Sequence, residues 1–247
     1  MVVDYKRPLR IAVSIAEPTV IEMQRHMNKV EDFAHHNKSN IEYLIELRVD
    51  ALDSISDNSL KKLIEHNKVP KIVTIRPKDM KGGFIGNDVE RWPYFGKAID
   101  LETEYIDIEI EHYDNFFDLN TLKEKFKETL KTKLILSHHD YERTGDFIEL
   151  EHMHRHIADK KPDIIKIATM AKSYGDNNKM FNLIRKHARD DNLIGICMGD
   201  LGRPSREWGP VYGGFLTFAA LSEDKITGPG QYTVEKLLEL WKIHRLI

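Results

Sequence analysis

Short apolar runs separated by polar, helix-forming stretches recur along the whole chain. The runs begin near Arg10 (RIAVSI), Ile41 (IEYLIELRVD), Lys71 (KIVTIRP), Tyr105 (YIDIEI), Lys133 (KLILSHHD), Ile164 (IIKIATM), Leu193 (LIGICMGD) and Phe215 (FLTFAAL). Each is short and rich in Ile, Val and Leu, which predicts a strand buried on both faces. Between most of them lie amphipathic helical stretches: Val20 to Lys38, Ser59 to Lys68, Asn120 to Lys131 and Phe147 to Lys160. A last one, Val234 to Leu246, follows the eighth strand. Asp57 or Ser59 can cap the second helix, and Thr233 suits the N-cap of the last.

Strand starts recur every 22 to 34 residues. Eight such βα units match the (β/α)8 TIM barrel, which typically takes ~250 residues. The rival is an open doubly wound sheet, which often carries a glycine-rich phosphate loop after strand one. Here strand one runs into Ala16-Glu17-Pro18-Thr19 instead. No proline- or glycine-rich linker divides the chain, so residues 1–247 read as one α/β barrel domain.

Active residues of a barrel sit at the C-terminal ends of its strands. The polar residues fall there. Strand two ends in Glu46-Leu47-Arg48-Val49-Asp50 and strand three in Arg76. Strand four carries Asp107 and Glu109, strand five ends in His138-His139, and strand seven ends in Met198. Period-two alternation puts Glu46, Arg48 and Asp50 on one face, and Asp107 with Glu109 on one face. Adjacent His138 and His139 must face opposite sides.

Strand six holds Lys166 inside Ile164-Ile165-Lys166-Ile167-Ala168. A buried ammonium is costly unless paired or neutralised. Burial and nearby arginines (Arg48, Arg76, Arg206) would favour the neutral amine, a nucleophile toward carbonyls. A strand lysine with a strand-end histidine points to Schiff-base chemistry with a proton shuttle. A snorkelling lysine or a structural ion pair is the competing reading.

Bulk properties narrow the classes. Apolar residues make up 41% of the 247 and charged residues 31%, with net charge −3, so neither a nucleic-acid nor a membrane field is indicated. Cys197 is the sole cysteine, which excludes an internal disulfide framework and fits a reducing cytoplasm. Strand alternation turns it away from the site. The polar start, Met1 to Pro8, lacks the apolar stretch of an export leader, and no run is long enough to span a bilayer.

Five motifs occur in order across nearly the whole chain: Glu46-Leu47-Arg48-Val49-Asp50, Ser137-His138-His139-Asp140, Ile165-Lys166-Ile167-Ala168, Ser205-Arg206 and Gly228-Pro229-Gly230-Gln231. In this the sequence resembles the type I 3-dehydroquinate dehydratases of the shikimate pathway. The resemblance implies dehydration of 3-dehydroquinate to 3-dehydroshikimate on the chorismate branch of aromatic amino acid biosynthesis. It implies Lys166 as the imine lysine and His139 as general acid/base. Glu46, Arg48 and Arg76 would bind substrate, Arg206 would clamp its carboxylate, and Met198 and Phe218 would form an apolar wall. Thr227 and Gln231 would belong to a lid. It further implies a homodimer without metal or organic cofactor.

The sequence departs from the pattern at three places. Lys81 stands before Gly82-Gly83 where the family carries glutamate or glutamine, one residue further from Arg76; Asp79 or Glu46 are the candidates to orient His139 instead. The stretch from Phe218 to Gln231 is about two residues longer, and Ile196 replaces a methionine found in some members.

Two other chemistries compete. A metal-dependent hydrolase could use His138, His139, Asp140 and Glu46, or His152 and His156, four apart on a helix. The latter pair reads as a solvated helix face, because no HExxH pattern accompanies it. A class I Schiff-base aldolase would share the barrel and the lysine. Lys123, Lys125, Lys127, Lys172, Lys179 and Lys186 read as solvated faces, and Trp92, Trp208 and Trp241 as packing residues.

Overall fold

The apolar runs form the strands of a single parallel sheet. The computed structural model describes residues 8–36, 41–114 and 131–247. In chain order these are β1 (Leu9–Ile15), α1 (Val20–His36), β2 (Ile41–Arg48), α2 (Asp57–Ile64), β3 (Lys71–Thr74), α3 (Asp88–Asp100), β4 (Tyr105–Glu109) and α4 (Ile110–Asp114). There follow β5 (Lys133–Asp140), α5 (Phe147–Ala158), β6 (Ile164–Met170), α6 (Gly175–His187), β7 (Leu193–Met198), α7 (Arg203–Trp208), β8 (Thr217–Ala220), β9 (Tyr232–Thr233) and α8 (Val234–Ile243). The helix expected from Asn120 onward, with Lys123, Lys125 and Lys127, lies outside the described residues.

The strand order is β7-β6-β5-β4-β3-β2-β1-β8-β9, with every pair parallel. Phe215 donates its backbone N–H to the Leu193 carbonyl at 2.8 Å, which links the start of β7 to the run leading into β8. The eight main strands thus follow the barrel predicted from the spacing. Strand eight starts later than expected, at Thr217, because the Phe215 amide turns to that seam. The short β9 extends the sheet beyond it.

Period-two alternation sorts the strand residues into two cores. Ala12, Leu44, Ile72, Ile135, Ile164, Ile194 and Leu216 fill the barrel interior. Val13, Ile45, Val73, Ile106, Leu136 and Ile167 face outward and pack with helix residues such as Met27, Leu63, Phe95 and Trp241. Each such side chain, fully buried, contributes about 1.5–3 kcal/mol. This apolar framework offsets the polar residues buried above it. Ser56, rather than the expected Asp57 or Ser59, is the N-cap of α2, with Ser59 completing a capping box from the third helical position; Thr233 caps α8 as expected.

One glycine fixes the loop over the site. A Cβ at Gly82 would lie 2.0 Å from the Arg76 carbonyl oxygen, so only glycine lets the chain fold back on the end of β3. Gly83 N–H then reaches Asp50 Oδ2 at 2.9 Å, tying that loop to the end of β2.

Candidate active site

The interior alternation that is apolar low in the barrel turns polar above. Along adjacent strands, Ser14 is in register with Glu46, Thr74 with Asp107, and Ser137 with Lys166. Of these, Ser14, Glu46 and Lys166 line a cavity of about 250 Å³ at the C-terminal ends of the strands, and Thr74, Asp107 and Ser137 are buried beside them. All ten residues singled out from the sequence line it: Lys166, His139, Glu46, Arg48, Arg76, Arg206, Thr227, Gln231, Met198 and Phe218.

Lys166 is buried with its Nζ 2.6 Å from Asp107 Oδ2 and 4.3 Å from the centre of the Phe218 ring. Arg48, Arg76 and Arg206 line the same cavity as this lysine, with a carboxylate between Arg76 and the amine. Asp107 is interposed, lying 3.6 Å from Arg76 Nη2 as well. Ser137 Oγ also donates to Asp107 Oδ1, at 2.6 Å. These cations and donors hold the fully buried Asp107 carboxyl below its usual range in spite of burial, which acts the other way.

His139 and His138 face opposite sides of β5. His139 meets the cavity; His138 Nδ1 pairs with Glu111 outside it. Arg76 Nη1 lies 3.0 Å from His139 Nδ1. A guanidinium can only donate, so Nδ1 accepts and the neutral ring carries its proton on Nε2. Burial first, then the charges of Arg76 and Lys166, hold this imidazole well below the ordinary histidine range. Neither candidate for orienting His139 does so. Asp79 sits outside and meets His112 Nε2 at 3.3 Å, while Glu46 accepts from Ser14 at 2.5 Å and Thr74 at 3.1 Å. Asp79 lies in the turn Lys78–Met80, its side chain 69% exposed to solvent. Lys81 instead places Nζ 4.1 Å above the Tyr141 ring, and Tyr141 stacks beside His139.

Arg76 is itself braced from behind. Glu109 Oε1 meets its Nη1 at 3.2 Å, and Glu109 Oε2 takes Arg91 Nη1 at 2.8 Å. Arg91 is fully buried and comes from α3. Arg48 makes a two-point pair with Asp50, at 3.0 and 2.7 Å, so Asp50 serves Arg48 and the Gly83 turn rather than the cavity.

Arg206, on α7, is different. It is 4% exposed, Nη2 donates to the Pro229 carbonyl at 2.9 Å, and no carboxylate is paired with it among the described residues. Nε is buried without a hydrogen-bond acceptor. Burial lowers this guanidinium to about 10, which still leaves it a cation at neutral pH. A buried cation with spare donors facing a cavity is a ready receptor for an anion.

The 221–231 loop covers the site. Gln231 Nε2 reaches Ser14 Oγ at 3.3 Å, and its Oε1 takes the Thr227 N–H at 3.0 Å. Lys225 pairs with buried Glu17 at 3.0 Å. Gly230, with φ 73°, packs so closely on Gly199 that a Cβ there would lie 2.2 Å from the Gly199 oxygen. Ser14, Lys81, Tyr141 and Pro229 also line the cavity. The sequence had offered Lys81 only as a departure from the family pattern and Pro229 only within a motif, and it did not single out Ser14 or Tyr141, for which alternation along β1 and β5 was the available signal. Cys197 is buried as expected, its thiol pushed up to about 11 by burial.

Comparison with known proteins gives a consistent picture. The chain is 36% identical over 201 residues to the 3-dehydroquinate dehydratase of Methanococcus maripaludis (strain C7), covering 81% of this chain and 87% of that one. It is 33% identical over 204 residues to a bifunctional 3-dehydroquinate dehydratase/shikimate dehydrogenase of Arabidopsis thaliana, of which it spans 33%. The crystal structure of the Aquifex aeolicus 3-dehydroquinate dehydratase superimposes with a TM-score of 0.75 at 28% identity, over 97% of this chain and all of that one. The profile of the type I 3-dehydroquinases matches residues 11–246. With that profile matched from residue 11 to 246 and a relative 36% identical over most of its length, the chain belongs to the type I 3-dehydroquinase family of hydro-lyases.

Proposed function

We propose that this protein dehydrates 3-dehydroquinate to 3-dehydroshikimate through an imine on Lys166, as a step of aromatic amino acid biosynthesis. The observation that carries the reading is the convergence of Lys166, His139 and carboxylate-free Arg206 on one cavity.

Arg206 holds the substrate carboxylate bidentately, which fixes the ring against Met198 and Phe218. Lys166 must lose a proton before it can attack the ketone. Asp107, at 2.6 Å, is the nearest carboxylate to hold that proton. The amine adds to the carbonyl carbon and water leaves, giving an iminium. That electron sink makes the adjacent C2–H acidic. His139 takes this proton and returns it to the hydroxyl on the next carbon, which departs as water. Hydrolysis of the product imine frees Lys166. The balance is one substrate to one enone and one water.

In the resting arrangement neither nitrogen of His139 has a free lone pair, since Nδ1 is engaged by Arg76 and Nε2 is protonated. The base step therefore requires Arg76 to swing away, toward Glu109 or a substrate oxygen. Glu46 and Arg48 line the wall and can take substrate hydroxyls, and Thr227 and Gln231 close the cavity from above. The same reading includes a homodimer working in the cytoplasm, as the family resemblance implies; a single buried thiol suits a reducing compartment. Among the described residues no helix is long and apolar enough to cross a membrane.

Incubation with 3-dehydroquinate in the presence of a chelator tests the reaction. The expected result is steady growth of conjugated-enone absorbance. A carbon–carbon cleavage product in its place would favour the Schiff-base aldolase reading, and loss of turnover on chelation the metal-dependent one.

A further inference from the structure

Away from the cavity, three side chains with no part in the chemistry above meet where α5 and α6 end. His154 on α5 is buried, His187 is the last residue of α6, and Asp191 lies just before β7. Their potential ligand atoms all lie within 4.8 Å of one another. Asp191 Oδ2 is 3.1 Å from His154 Nε2 and 3.7 Å from His187 Nδ1. Asp191 precedes the first residue of β7, whereas Met198, at the cavity, is the last. The cluster therefore sits at the opposite end of the barrel from the active site.

Three features are poorly explained by packing alone. The two imidazoles lie face to face with centroids 3.6 Å apart, so protonating both would set two cations in contact. His154 Nε2 is buried and makes no hydrogen bond of proper geometry despite its nearness to Asp191. His187 Nε2 lies 2.8 Å from Glu151 Oε1, which fixes the proton on that nitrogen and turns the Nδ1 lone pair toward Asp191. A carboxylate behind the far nitrogen of a histidine is the arrangement that orients metal-bound imidazoles.

We propose that His154 Nε2, His187 Nδ1 and Asp191 form a site for a zinc-like divalent transition metal that clamps α5 to α6. Two imidazoles and one carboxylate suit Zn²⁺, Co²⁺ or Ni²⁺ better than Mg²⁺ or Ca²⁺, which prefer all-oxygen shells. With metal–ligand bonds of about 2.0–2.2 Å, tetrahedral donors stand roughly 3.3 Å apart. The separations of 3.1 and 3.7 Å bracket that value. Ring lone pairs lie in the ring plane, so the rings must open beyond their present 23° to share one ion. His187, the more exposed of the two, is the ring that turns. The fourth position is left to water. This pairing is not the His152–His156 spacing noted in the sequence; both of those residues are exposed.

The test is titration of chelator-stripped, untagged full-length protein with Zn²⁺ by calorimetry, and with Co²⁺ followed by its visible absorption bands. The expected result is one tight equivalent, a raised Tm and a Co²⁺ spectrum of low-symmetry nitrogen–oxygen ligation. His187→Gln and Asp191→Asn should each weaken binding at least 30-fold while leaving the metal-free Tm near that of the wild type. A control pair, His152→Gln and His156→Gln, should bind as the wild type does. Absence of binding by the wild type at 100-fold molar excess of Zn²⁺, or binding that survives His187→Gln and is lost in His152→Gln, would overturn the proposal.

Discussion

Arg76 Nη1 stands 3.0 Å from His139 Nδ1, so a guanidinium rather than a carboxylate backs the histidine of this site. The contact disfavours the imidazolium. If His139 is the base, the acid limb of kcat/KM reports its titration in the free enzyme. That limb should lie well below pH 6.5, since burial and Arg76 both lower the group. In Arg76→Gln a cation is removed while burial remains. The ring then keeps its proton to higher pH, and the acid limb moves up toward 6.5. A limb that stays put or moves down would contradict the role of Arg76.

The two histidines of β5 separate by face. His139→Ala should lose most turnover yet still allow some imine to be trapped. His138 pairs with Glu111 behind the sheet, so His138→Ala should keep kcat and lower Tm by a few degrees. Steady-state kinetics with melting curves on the two variants decide this. The reverse pattern would place the working histidine on the other face.

Arg206 and Arg91 are both buried, and among the described residues only Arg91 is paired with carboxylates. Arg206→Ala should raise KM by roughly 10- to 150-fold, as expected for loss of a charge-assisted bond of about 1.5–3 kcal/mol. Its stability should hold, because no buried anion is stranded. Arg91→Ala leaves Glu109 buried beneath Arg76 and should lose about 3–5 kcal/mol of stability. Denaturant melts alongside the kinetics read both. Equal destabilisation by the two changes would mean that Arg206 has a structural partner.

Lys225 ties the 221–231 loop to Glu17 at 3.0 Å. Trypsin should cut after Lys225 slowly in the free enzyme, faster in Glu17→Gln, and least with substrate or product bound. Gln231→Ala should raise KM mildly through its lost contact with Ser14. Cleavage unaffected by ligand would show that this loop is not a lid.

Strand positions and their phase were legible because period-two alternation survives along β1 to β8, which brings Glu46, His139, Lys166, Met198 and Phe218 to one cavity; Arg206, Thr227 and Gln231 lie on α7 and in the 221–231 loop, and only the family resemblance pointed to them. What was not legible depends on contacts between distant segments. Nothing in the sequence near Lys166 says that Asp107, 59 positions earlier, is its partner. The Arg76–His139 contact joins residues 63 positions apart, and Asp79, the nearby carboxylate in sequence, pairs with His112 instead. The seam between β7 and β8, and the short β9, follow from barrel geometry rather than from apolar pattern. His154 falls between His152 and His156, on a helix whose His152–His156 face read as solvated; only the packing of α6 on α5 brings His187 against it.

The central claim is that Lys166 forms the imine, and covalent trapping tests it most directly. The protein is mixed with 3-dehydroquinate and borohydride, digested, and its peptides weighed. The expected result is loss of activity with one reduced adduct, on the peptide containing Ile164 to Met170, and no adduct in Lys166→Ala. Inactivation with the adduct on a different lysine, or turnover that persists in Lys166→Ala, would contradict it.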